Sequence, residues 1–251
     1  MIPIMVEEKP ATRNRFGQPI GFAVPDWNAR AAPSGAPIAG RYCSLEGLDA
    51  ERHANDLHAA YGEAQDARDW TYLAAGPFAS LEEHRDYLRA ESAKRDPLHY
   101  AIRDSLTGKA VGTAALLRID SANGVIEVGH IHYSPRLQRS RAGTEAMFLL
   151  MRYAFDALGY RRYEWKCDSL NAPSRRAAER YGFVFEGIFR QAMVRNGHNR
   201  DTAWYSIIDQ EWPLIRSAFE HWLAPENFDS DGSQRQSLRT MRESLAGAPK
   251  P

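Results

Sequence analysis

The spacing of apolar positions changes several times along the chain, and each change marks an element. Between residues 98 and 133 three runs, "LHYAIRD", "AVGTAALLRI" and "VIEVGHIHY", are strand-like and are separated by "SLTGK" and "DSANG". Short apolar runs with Gly and Asn in the turns predict an antiparallel meander. The period then lengthens. Met147, Leu150, Met151, Ala154 and Leu158 fall at i, i+3, i+4, i+7 and i+11, one stripe of an amphipathic helix that ends at Gly159. "RYEWKCD" returns to alternation, with Tyr163, Trp165 and Cys167 on one side and Glu164, Lys166 and Asp168 on the other, as in a half-buried strand. "NAPSRRAAERYGF" predicts a short helix capped by Asn171, with Pro173 in its first turn and Gly182 as terminator.

Upstream, "GRYCSLEGL" reads as a strand, and "DAERHANDLHAAYG" as a helix between an Asp49 cap and Gly62. After the aromatic loop "WTYLAAGPF", Ser80 with Glu83 three residues on is a capping-box signature for a second helix. Downstream, "VFEGIFRQAMVRNGHNRDTAWYSII" predicts a long hairpin around Asn196–Gly197, and a last helix follows Trp212–Pro213. The fold class is α/β (α+β), a mixed, mostly antiparallel central sheet flanked by helices. Residues 1–40, rich in Pro, Gly and Ala, predict an extended arm with Phe22 and Trp27 tucked down. Residues 41–223 form the domain, and the polar segment 224–251 is expected to be a mobile tail.

Composition narrows the function. The 251 residues are 43% hydrophobic and 25% charged, and 32 basic residues balance 32 acidic ones. A net charge of zero argues against nucleic acid as a partner. The two cysteines, Cys43 and Cys167, lie in no metal-binding pattern, so no metal is expected. No stretch reaches the roughly 20 apolar residues a membrane span needs, and the first residues do not read as a secretory signal. The expectation is a cytoplasmic protein without a membrane partner.

The most informative stretch is "LQRSRAGTEAMFLLMRYAF", Leu137 to Phe155, which places basic residues and a glycine where a helix begins. Helix starts offer unpaired N–H groups and the positive end of the helix dipole, so they attract anions. Three antiparallel strands, a helix, a strand, a helix and a final hairpin, carrying "EVGH", "QRSRAGTEA", "NAPSRRAAERYGF" and "DTAWYSIIDQEW", resemble the GNAT superfamily of acetyl-CoA-dependent N-acetyltransferases. The resemblance covers about residues 41–211 and is closest to the branch that acetylates protein N-termini, including those of ribosomal proteins.

The resemblance implies acetyl-CoA as cofactor. Its pyrophosphate would be held by Gln138, Arg139, Ser140, Arg141, Ala142, Gly143 and Thr144, the loop of pattern Gln/Arg-x-x-Gly-x-Gly/Ala, with Arg139 and Arg141 adding charge-assisted hydrogen bonds. Arg141 stands where the family has its first glycine, which implies a wider turn. Asn171 and Ser174 would contact the coenzyme, and Ser174 would protonate the departing thiolate. Another branch uses a tyrosine seven residues after the asparagine; Ala178 stands there, and Tyr181 reads as core. The backbone of Ile131, His132 and Tyr133 would supply the oxyanion donor.

Transfer to an amine also needs a base, because an amine is mostly protonated at neutral pH. Glu127 in "IEVGH" is the favoured base, with His130 and His132 as alternatives. Strand alternation puts Glu127 and the two histidines on opposite faces, a parity that a bulge would change. Trp70 and Tyr72, with Phe78, would wall the acceptor cleft, and His53, Asp56, His198 and Asn199 are unranked candidates beside it. The acceptor expected is a small-molecule or peptide primary amine. Two alternatives remain: a coenzyme A-binding sensor without turnover, and a transferase of another acyl group. The N-terminal arm is expected to cover the sheet edge or a homodimer contact.

Overall fold

The structure is a computed structural model and describes residues 10–247. Its centre is an eight-stranded sheet. In chain order the strands are β3 (Ile38–Ala39), β4 (Cys43–Gly47), β5 (Leu98–Asp104), β6 (Ala110–Asp120), β7 (Val125–Tyr133), β8 (Arg162–Asp168), β9 (Val184–Arg195) and β10 (His198–Ile208). They lie in the order β3-β4-β5-β6-β7-β8-β10-β9. All pairs are antiparallel except β7 with β8. A separate two-residue pair, β1 (Thr12–Arg13) with β2 (Pro19–Ile20), lies in the arm.

Helices cover both faces. On one face α1 (Ala50–Tyr61) and α2 (Leu81–Ser92) pack Leu57 and Leu88 against Leu48, Ala101 and Ala110. On the other, α3 (Arg141–Arg152), α4 (Ala172–Tyr181) and α5 (Trp212–Leu223) bury Met147, Leu150, Ala178 and Phe219 with Tyr100, Ile102, Ile126 and Val128. Burial of these apolar side chains is the main stabilising term.

The expected caps form. Asp49 accepts from the N–H groups of Glu51 and Arg52, and Ser80 from Glu83, while the Glu83 carboxylate reaches back to the Ala79 N–H. Asn171 caps α4 through the Ser174 N–H, and Gly182 closes it at φ 102°, the left-handed conformation glycine adopts without strain. Asn196 and Gly197 both take positive φ at the β9–β10 turn.

Two expectations differ from the structure. The helix that starts at Arg141 loosens into a π turn over Tyr153–Ala157 instead of continuing regularly to Gly159. The segment expected to be a mobile tail is folded as far as residue 247: α6 (Leu238–Gly247) packs on α4 and α5, Leu238 is buried, and Arg242 donates to the Arg180 carbonyl. The reason lies in Leu238, Met241 and Leu245, an i, i+3, i+7 stripe facing the core.

Candidate active site

The site begins where two strands part. The parallel pairing of β7 and β8 runs from Val125↔Arg162 to Val128↔Trp165 and stops there. Beyond it, residues 129–133 of β7 have no strand partner on the β8 side. The same stretch bulges on its β6 side. Ala115 faces Gly129 and Thr113 faces His132, so two steps along β6 match three along β7, and His130 takes φ 48°. A non-glycine residue in the left-handed region costs energy that the surrounding structure must hold, and such strain concentrates at functional positions.

The bulge changes the parity of the strand. Ile126 and Val128 face the α3 core, and so do Ile131 and Tyr133. Glu127 faces the α1/α2 side, and past the bulge His130 and His132 face that side too. His132 stacks on the Tyr61 ring of α1 at 3.8 Å, and His130 meets the His99 ring of β5 at 5.0 Å. The alternation that separated Glu127 from the two histidines is therefore corrected by one inserted residue.

The candidate coenzyme end lies past Tyr133. Ser140 caps α3, accepting from the Gly143 N–H at 2.9 Å and donating to the Leu137 carbonyl at 2.8 Å. The Thr144 N–H bonds to Ser140 O, as the Gln138 and Ser140 N–H groups do to Ser134 O and Leu137 O. Among the described residues, the backbone N–H groups of Arg139, Arg141 and Ala142 are left without a partner, so the expected cradle narrows to these three. Arg139 is exposed at φ 58°.

The Arg141 guanidinium turns away from the loop. It lies between the rings of Tyr42 and Phe228, at 4.9 and 4.8 Å, a cation–π sandwich that ties α3 to the C-terminal segment. Gly143 has no room for a side chain: an added Cβ would sit 2.4 Å from the Leu137 carbonyl and 3.2 Å from the Tyr133 ring. Gln138 donates to the Asp69 carboxylate and to the Tyr133 carbonyl. Thr144 is buried and receives a hydrogen bond from Arg180. Across the gap, Ser174 Oγ accepts from the Trp165 indole N–H at 3.0 Å and lies against the Cys167 thiol.

The candidate acceptor end is roofed by the loop between α1 and α2. Trp70 meets His132 edge-on at 4.1 Å, and Phe78 stacks on His84. Tyr72 bridges the cleft, donating from its hydroxyl to Leu170 O while its own carbonyl accepts from Arg195. Beneath the loop lies a cavity of about 40 Å³ lined by Tyr61, Trp70, His84, His99, His130 and His132 among others, room for roughly one water. Burial pushes His84 and His99 down to about 4 and His132 to about 3, and it lowers His130 as well. These imidazoles are therefore neutral at neutral pH. The His99 ring, 3.0 Å from the Glu91 carboxylate, backs His130.

Glu127 is 3% exposed and doubly paired, with Arg118 at 2.6 Å and Lys166 at 2.9 Å. The pairing continues through Glu164 and Arg162 to Glu186, a ladder across β6 to β9 with Lys166 also 3.7 Å over the Trp204 ring. His53 and Asp56 lie outside the cleft, paired with Glu46 and Lys109. Tyr181 is core, stacked on Phe219.

The sequence did not single out His84, His99, Arg195 or Arg200, which the fold brings from α2, β5 and the last hairpin. It also missed Glu145, whose buried carboxylate accepts from the N–H groups of Arg41, Tyr42 and Cys43 at 2.6–2.8 Å. Gly40 is required there, since a Cβ would lie 2.5 Å from that carboxylate.

Comparison with known proteins agrees with this geometry. The model of the acetyltransferase (GNAT) domain family matches residues 45–184. The crystal structure of a GCN5-related N-acetyltransferase from Brucella melitensis is 50% identical, covers 88% of this chain and 100% of that one, and superposes with a TM-score of 0.86. A GNAT-family structure from Chromobacterium violaceum is 40% identical over 78% of this chain and 98% of that one, with a TM-score of 0.72. A curated relative, "Putative ribosomal N-acetyltransferase YdaF" of Bacillus subtilis, is 28% identical over 67% of this chain and 90% of its own length. A strand pair that splays beside a helix start with unpartnered N–H groups, a family match over more than half of the chain, and this close structural relative lead to one conclusion: the chain is an acetyltransferase of the GNAT family.

Proposed function

We propose that the protein transfers an acetyl group from acetyl-CoA to a primary amine held against His130. The observation that carries this reading is the β7 bulge, which sets an unpaired strand edge and a neutral imidazole beside the gap that leads to the α3 N-terminus. The residues present suit the coenzyme. Three unpartnered N–H groups and an exposed Arg139 offer donors to a diphosphate, and Gly143 lets the chain pack closely there.

Bound acetyl-CoA supplies the thioester carbon. His130 takes a proton from the amine, directly or through one water, so that the nitrogen can form its bond to that carbon. The β7 backbone at Ile131–Tyr133 would donate to the carbonyl oxygen as it gains charge. Ser174 gives a proton to the sulfur as the C–S bond breaks, and solvent restores it. Glu127 serves the site by anchoring Arg118 and Lys166, which occupy its oxygens. The acceptor class is a primary amine, either a protein N-terminus or a small amine; the B. subtilis relative bears the name of a ribosomal N-acetyltransferase.

The test is to mix protein, acetyl-CoA and a panel of primary amines and follow free thiol. Amine-dependent thiol release that His130→Gln suppresses supports the reading. Coenzyme binding without thiol release for any amine would contradict it.

A further inference from the structure

Most arginines of the described chain have an evident occupation: a carboxylate, a carbonyl or an aromatic ring. Arg200 has none. It lies on β10 opposite Met193, on the same face as Thr202, Trp204 and Lys166, and is more than half-buried. Its Nε is shielded from solvent without a hydrogen-bond partner, and its guanidinium takes part in no ion pair and no ring stack.

Arg195 is close by at the end of β9, held only by the Tyr72 carbonyl at 3.3 Å and a long contact to the Met193 sulfur. Burial and then the Arg195 charge lower Arg200 from its ordinary value, against an opposing pull from Asp168. Asp168 accepts from the Leu170 N–H and makes no ion pair with either arginine. Arg195 and Arg118 also lie within electrostatic reach of His130.

Two half-buried cations without a counter-ion, of which Arg195 acts on both Arg200 and His130, are costly unless an anion arrives. The ladder from Arg118 to Glu186 is balanced within itself, with three basic and three acidic members. The surplus positive charge therefore lies at the hairpin side of the cleft.

We infer that Arg200, helped by Arg195, binds a carboxylate on the acceptor, so that the preferred substrate is a small amino acid-like molecule carrying an acid group a few bonds from its amine. This rests on the reading that the amine sits at His130. The planar guanidinium fork matches a carboxylate in a bidentate geometry. Discrimination follows from the unpaired cation: an acceptor lacking the acid leaves the Arg200 guanidinium desolvated and unsatisfied.

The experiment compares matched acceptors on the full chain with saturating acetyl-CoA, reading free thiol. Glycine, β-alanine and 4-aminobutyrate are set against their amides, with 2-aminoethyl phosphate as a further arm. The acid should exceed its amide in kcat/KM by about 10- to 100-fold for at least one chain length. Arg200→Gln should collapse that ratio to near one, and Arg195→Gln should reduce it, while calorimetry shows an unchanged Kd for acetyl-CoA in both. Equal use of acid and amide by the wild type, or a ratio that survives Arg200→Gln, would overturn the assignment and leave the transferase reading intact. Preference for the phosphate over every carboxylate would overturn the carboxylate. Absence of thiol release with every amine, despite coenzyme binding, would overturn the transferase reading and this inference with it.

Discussion

The two ends of the cleft are built by different rules. The coenzyme end is contiguous: Ser134 to Thr144 supply the turn, the cap, the free N–H groups and the glycine that packs under Tyr133. Its donors are backbone atoms, so side-chain identity matters only where space or conformation is tight. The candidate acceptor end is assembled from α1, α2, β5, β7 and the β9–β10 hairpin, and its histidines and arginines are side chains placed by packing. The first end should tolerate most substitutions and fail sharply at a few. The second should be sensitive in rate while leaving coenzyme affinity alone.

Substitution at the base sharpens this contrast most. His130→Gln is expected to lower kcat by about 100-fold or more with the acetyl-CoA Kd unchanged by calorimetry. Glu127→Gln should instead destabilise the fold by about 3 kcal/mol, because Arg118 and Lys166 lose a buried partner, and should leave the acid limb of the rate profile in place. A profile whose acid limb vanishes in Glu127→Gln would return the base role to that carboxylate.

Acid titration probes the packing of the acceptor end. The folded values of His84 and His132 are about 4 and about 3 against 6.5 unfolded. The unfolded chain binds more protons in that window, so stability is full above pH 6.5 and falls as pH drops toward 4, by on the order of 3 kcal/mol for each histidine. Urea denaturation at pH 7 and pH 4.5 measures the loss, and His84→Gln should shrink it.

The coenzyme end has its own breaking point. Gly143→Val forces a Cβ into the Leu137 carbonyl and is expected to weaken coenzyme affinity by about tenfold or more as the loop shifts; an unchanged Kd would show that the loop does not hold the diphosphate. Ser174→Ala should lower kcat by about tenfold and leave the Kd alone. Arg139→Ala should weaken binding by only about threefold, more at low salt, since an exposed side chain adds to a cradle made of backbone. An equal loss from Arg141→Ala would contradict the packing of that guanidinium between Tyr42 and Phe228.

The same contrast explains what could be read from the chain. The caps at Asp49, Ser80 and Asn171, the turn at Asn196–Gly197 and the strand runs are local signals, and the fold class follows from them; the candidate coenzyme loop rests on the family resemblance of its motif. The bulge at His130 is a register event between two strands; no residue type announces it, and it reverses which side chains share a face. Arg195 and Arg200 lie more than sixty residues beyond His130 and are joined to it only by the sheet order. Arg141 was placed on the phosphate by charge alone, whereas rings from residues 42 and 228 compete for it. In the C-terminal segment a polar average hid the Leu238, Met241 and Leu245 stripe.

A crystal structure with acetyl-CoA tests the central claim most directly. The account predicts the diphosphate against the N–H groups of Arg139, Arg141 and Ala142, and the thioester in the gap between residues 129–133 of β7 and the end of β8, within reach of His130 and Ser174. Coenzyme bound elsewhere with that gap closed would contradict it.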